Sequence, residues 1–87
     1  MRLADYIAKF LVDHGIEDIF MLTGYGAMYL NDAIEISGIR HFATRNEAAA
    51  PMMAEAYARL KQSIGAVCVT AGPGSTNAVP GLAEAWV

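Results

Sequence analysis

The chain has 87 residues, 55% of them hydrophobic and 17% charged, with a net charge of −3; that is one small domain, burying roughly 60 to 65% of the surface its unfolded form exposes. Its six basic residues, Arg2, Lys9, Arg40, Arg45, Arg59 and Lys61, are scattered, which argues against nucleic-acid binding, and no apolar run nears the roughly 20 residues that span a bilayer. The start, with Arg2, Asp5 and Lys9 at helical spacing, does not read as a signal peptide, and the single cysteine, Cys68, leaves no internal disulfide and fits a reducing cytoplasm.

Residues 2–14 read as an amphipathic helix, with Leu3, Ile7, Phe10, Leu11 and His14 on one face and an Asp5–Lys9 pair on the other. Gly15 is its natural stop. Ile19-Phe20-Met21-Leu22 has strand length, and Thr23-Gly24-Tyr25-Gly26 breaks it. Residues 27–37 predict a second helix, with Leu30, Ala33 and Ile34 inward and Gly38 as its stop. Residues 40–43 are a candidate short strand. Asn46 can cap a third helix that carries Glu47 in its first turn, with Met52, Met53, Ala56, Tyr57 and Leu60 as its apolar face. Pro51 costs that helix a hydrogen bond near its start.

The segment Ala66-Val67-Cys68-Val69-Thr70 is the clearest strand, apolar enough for a central parallel position covered on both faces. Ala71-Gly72-Pro73-Gly74 is a tight turn, and residues 75–87 begin a last helix with Pro80 and Gly81 as weak points. Strands alternating with helices imply an α/β fold with a parallel sheet. Ligands of such sheets meet the loops at the carboxyl ends of the strands, here residues 23–26, 44–47 and 70–77. No turn cluster follows Trp86-Val87, so residues 1–87 read as a partial domain, cut to about its first half.

Three motifs bear on chemistry. Gly24-Tyr25-Gly26 follows a strand, but the third glycine of a dinucleotide fingerprint is replaced by Tyr29; a tight turn explains these glycines equally well. Gly72-Pro73-Gly74-Ser75-Thr76-Asn77 lacks the Gly-Lys-Ser/Thr ending of a P-loop, yet two glycines at a helix start allow close approach of a ligand and free backbone N–H groups. Its structural alternative is a glycine turn with Ser75 or Asn77 as the cap. Glu47 fits a first helical turn for dipole reasons alone, but a carboxyl kept from water beside Ala48-Ala49-Ala50 also suits proton transfer. His14 and His41 lack a third ligand at metal spacing, Cys68 reads as inert core, and Ser75 lacks the context of a hydrolase elbow.

Taken together, Arg45-Asn46-Glu47-Ala48-Ala49-Ala50, Ala54-Glu55-Ala56-Tyr57-Ala58-Arg59, Gly65 and Val69-Thr70-Ala71-Gly72-Pro73-Gly74-Ser75-Thr76-Asn77 resemble the N-terminal, pyrimidine-binding domain of thiamine-diphosphate-dependent enzymes, in particular acetolactate synthase and its relatives. The resemblance covers essentially the whole chain and implies a doubly wound, three-layer sandwich. It implies that Glu47 bonds N1′ of the cofactor's aminopyrimidine and so favours removal of the thiazolium C2 proton, in a lyase or transferase acting on 2-keto acids such as pyruvate. It also implies that Gly24, Tyr25, Gly26, Thr70, Gly72, Pro73, Gly74 and Asn77 line the cofactor cleft.

The family commonly has His before the glutamate and Gln after it, where this chain has Asn46 and Ala48, and its first glycine loop usually carries a proline. The Gly-Asp-Gly motif that holds diphosphate and Mg2+ in a separate C-terminal domain does not occur here. The resemblance therefore implies a partner that completes the site, either a second subunit or that C-terminal domain, and a homo-oligomer. Some relatives bind FAD, and these residues do not read for or against it. The alternatives are a non-catalytic interaction module and an unrelated anion-binding α/β domain.

Overall fold

A computed structural model describes all 87 residues. The order is α1 (Leu3–Asp13), β1 (Asp18–Met21), a 3-10 turn (Tyr25–Ala27), α2 (Met28–Ser37), β2 (Arg40–Ala43), α3 (Ala49–Lys61), β3 (Val67–Cys68) and α4 (Pro73–Trp86). The strands form one parallel sheet in the order β2-β1-β3. Because side chains alternate along a strand, β1 divides its residues between two cores. Ile19 and Met21 pack with Ile34, Ile39 and Cys68, and Phe20 packs with Ala50 and Ala54 of α3. Helices α1 and α2 pair on one side and α3 and α4 on the other, which makes the three-layer, doubly wound arrangement.

Gly15 (φ +83°) and Gly38 (φ +88°) take left-handed conformations after α1 and α2, as their sequence positions predict. All four β1 residues are buried, and β1 is the central strand. Within residues 1–87 the apolar 66–70 segment, which reads as a central strand, contributes the two-residue β3 beside β1.

Two helix faces also differ from their periodicity. Helix α1 turns Ala4 and Ala8 onto Ala33 of α2, and Leu3, Phe10 and His14 stay exposed with Ile7 at the boundary. Small residues let two helix axes approach closely, so alanine contact outcompetes the larger but more scattered apolar face. Asp5 does not pair with Lys9. Arg2 binds Asp5 at 3.0 Å and Asp32 of α2 at 2.8 Å, and Lys9 binds Asp13 at 2.8 Å. In α3 the buried residues are Ala50, Pro51 and Ala54, whereas Met52, Met53, Ala56 and Leu60 are exposed.

The α3–α4 contact explains Pro51. A proline at the third helical position removes an N–H that has no intrahelical partner in any case, and its ring lies against Gly81 of α4. Gly81 is therefore a packing position, and α4 runs unbroken through Pro80 and Gly81 to Trp86. Gly65 lets β3 approach α3, since a Cβ there would strike the carbonyl oxygen of Ala54.

A buried carboxylate fastens the amino end of the sheet. Asp18 accepts a hydrogen bond from the Tyr57 hydroxyl at 2.7 Å and one from Arg40 at 3.0 Å. The Arg40 Nε lies 2.6 Å from the other oxygen, a charge contact too poorly aligned to be a hydrogen bond. The Tyr57 bond and then Arg40 hold Asp18 below the usual carboxylate range, and the same contact pushes the Tyr57 phenol up.

Candidate functional site

The three loops predicted from the strand ends meet at the opposite, carboxyl edge of the sheet. The buried Thr44 anchors the loop after β2: its amide donates to the Met21 carbonyl at 2.8 Å, and its hydroxyl to the Asn46 carbonyl at 2.7 Å. Asn46 Oδ1 then accepts the Ala49 amide at 3.0 Å, so it satisfies the first helical N–H of α3 from two residues ahead of the cap position, which is Ala48. Glu47 falls in the turn just ahead of the helix, half-buried, rather than within its first turn.

The turn after β3 comes to Glu47 from the other side. Gly72 has φ +71° and ψ −127°, and Pro73 fits the first helical position, so α4 starts two residues before Ser75. Neither Ser75 nor Asn77 is left to cap it. The Ser75 hydroxyl donates to the Thr70 carbonyl at 2.9 Å. Asn77 reaches across, and its Nδ2 donates to Glu47 Oε1 at 3.3 Å. The other oxygen, Oε2, makes no hydrogen bond within the chain and lies 3.6 Å from where a Cβ on Gly74 would stand. The carboxylate is thus held through one oxygen and open through the other.

The loop after β1 joins through Thr70, whose Oγ1 accepts the Gly26 amide at 3.0 Å. Gly24, Gly26, Thr70, Gly74, Glu47 and Asn77 therefore form one connected group. Tyr25 is 90% exposed and outside it, and Gly72 and Pro73 stand on the exposed rim of the turn. A cavity of about 330 Å³ opens beside the group, lined by Asn46, Ala48, Thr76, Asn77 and Pro80.

Thr44 is the residue sequence reasoning missed as an individual; a threonine directly after a predicted strand was its signal. A larger groove of about 390 Å³ between α3 and α4 runs along Glu55 and Arg59 and is separate from Glu47. Cys68 is buried, and burial pushes its thiol up, consistent with an unreactive core position.

An α/β chain with a lone half-buried carboxylate at the carboxyl edge of a parallel sheet describes a class of ligand-binding domains. Comparison with known proteins is specific. Residues 1–87 match the model of the thiamine pyrophosphate enzyme, N-terminal TPP binding domain, and the chain belongs to that family. It is 40% identical over 85 residues to the acetolactate synthase large subunit of Buchnera aphidicola (subsp. Schizaphis graminum), covering 97% of this chain and 15% of that protein. Against the acetolactate synthase isozyme 3 large subunit of Escherichia coli K12, identity is 38% over the same shares. Against 2-hydroxyacyl-CoA lyase 2 of Caenorhabditis elegans it is 42%, over 93% of this chain and 13% of the relative. The chain thus spans about 15% of the length of the acetolactate synthase subunits it matches. No helix is long and apolar enough to cross a membrane.

Proposed function

We propose that residues 1–87 form part of the pyrimidine-facing half of a thiamine diphosphate site and that Glu47 activates the cofactor there. The observation that carries this reading is the Glu47 carboxylate, with Oε1 occupied by Asn77 and Oε2 free at the carboxyl edge of the sheet. One free, partly desolvated oxygen matches the single proton shared with N1′ of an aminopyrimidine, so the residues present fit the group.

Glu47 would hold that proton, Asn77 would keep the carboxylate oriented, and the glycine loops would let the ring approach. When bound, thiamine diphosphate supplies the electron sink for cleaving the bond beside a 2-keto acid carbonyl. The names of the relatives include acetolactate synthase, hydroxyacyl-CoA lyase and probable 2-ketoarginine decarboxylase. They support a lyase or transferase, with a 2-keto acid such as pyruvate as the substrate we favour.

The chain has no Gly-Asp-Gly. We assign diphosphate and Mg2+ to a C-terminal diphosphate-binding domain or a second subunit, in a homo-oligomer, and expect residues 1–87 alone to be inactive. The test is hydrogen–deuterium exchange at C2 of thiamine diphosphate in the natural gene product, with magnesium, comparing wild type with Glu47→Gln. Fast exchange that drops by orders of magnitude in the variant supports the assignment. Bound cofactor with equally slow exchange in both returns Glu47 to a helix-start role and favours a non-catalytic module.

A further inference from the structure

The Thr70 side chain stands where the site loops meet. A Cβ on Gly24 would fall 2.5 Å from Thr70 Cβ, one on Gly26 2.8 Å from Oγ1, and one on Gly74 2.8 Å from Cγ2. Real Cβ atoms do not approach so closely, so three glycines from two loops are glycines on account of one protein side chain. In the sequence they read as openings for a ligand. In the structure Thr70 fills the space in front of them, whereas Gly72, in the same turn as Gly74, has nothing within 4 Å. The backbone of Thr70 is itself held, since its carbonyl accepts the Ser75 hydroxyl at 2.9 Å. The β1–β3 ladder, with Leu22 N donating to Cys68 O at 3.2 Å, brings the two loops to the same level.

We propose that Thr70 is a positioning residue that sets the distance between the 24–26 loop and Glu47, a role that rests on the reading of Glu47 above. The line runs from Gly26 through the Thr70 hydroxyl and across its methyl to the space at Gly74, where a Cβ would stand 2.8 Å from Cγ2 and 3.6 Å from the free oxygen of Glu47. The hydroxyl holds the loop by accepting an amide that otherwise lacks a partner, and the methyl fills the gap between Gly24 and Gly74. Valine keeps the shape and loses the acceptor. Serine keeps the acceptor and loses the methyl.

The experiment compares T70V and T70S in the natural gene product, reading Gly26 amide exchange by NMR and C2 exchange of added thiamine diphosphate with magnesium. In T70V, Gly26 protection falls at least tenfold and C2 exchange slows about tenfold; T70S recovers the protection, and its rate falls between T70V and wild type because the methyl is missing. A second pair covers misfolding of T70V. G74A drives its methyl against Cγ2 and slows C2 exchange, and adding T70S removes Cγ2 and recovers most of the loss.

Wild-type protection and rate in T70V would overturn the proposal. So would a T70S variant as impaired as T70V, or a G74A/T70S protein no better than G74A. If wild-type C2 exchange proves insensitive to Glu47→Gln, the reading of Glu47 fails by itself, and Gly26 protection in T70V against T70S still decides the clamp.

Discussion

Substituting Gly81 by alanine sets two known effects against each other. Alanine in a helix interior is favoured over glycine by about 1 kcal/mol, so an exposed site would gain stability. At Gly81 the added Cβ would lie 2.5 Å from Pro51 Cγ, 2.7 Å from Pro51 Cβ and 3.2 Å from the Met52 nitrogen. Ordinary carbon contacts sit at about 3.5–4.0 Å, so α3 and α4 must part by about 1 Å. The proline ring cannot rotate aside as a longer side chain would. Overpacking of this kind costs about 1–3 kcal/mol, and the rigid partner places it near the upper end. The expected net loss is about 1–2 kcal/mol, read as a lower Tm and a lower urea midpoint. Thermal and urea unfolding followed by circular dichroism measure it. An unchanged or raised Tm would show that helix propensity wins and that α3 and α4 do not pack ring against glycine.

Three further outcomes follow from the contacts. Asp18 has a folded pKa below its unfolded one, so its contribution to stability is complete above about pH 4 and is lost as pH falls through the folded value. Wild type should exceed Asp18→Asn in stability at neutral pH, with the gap closing only in acid; a gap independent of pH would refute this. Leu3→Gln, on the exposed side of α1, should change stability by no more than about 0.5 kcal/mol, whereas Ala8→Leu at the α2 contact should cost about 1–3 kcal/mol, both by urea unfolding; the reverse order would restore the face read from periodicity. Asn77→Ala removes the donor to Glu47 Oε1 and should slow C2 exchange about fivefold, the equivalent of about 1 kcal/mol for one hydrogen bond; a wild-type rate would show that Glu47 holds its orientation without Asn77.

Element order, the parallel sheet, the glycine stops at Gly15 and Gly38, and the three loops at the strand ends follow from the sequence, because they depend on local period and backbone freedom. The succession of Glu47, the Tyr57-Ala58-Arg59 segment and the Gly72–Asn77 turn was enough for the family as well. Strand order was not legible: apolarity marks burial but names no neighbour, so nothing local places β1 between β2 and β3. The faces of α1 and α3 were misjudged for a related reason: periodicity counts large apolar residues, and helix contact here is decided by alanine, proline and glycine, whose small size matters only when another helix is opposite. The site divides the same way. Glu47 and the glycines are visible as types in a loop. The Asn77–Glu47 bond and the packing of Gly24, Gly26 and Gly74 around Thr70 join residues up to 46 positions apart. Such partners have no local signal, because it is the folding of the sheet that brings its loops together at one edge.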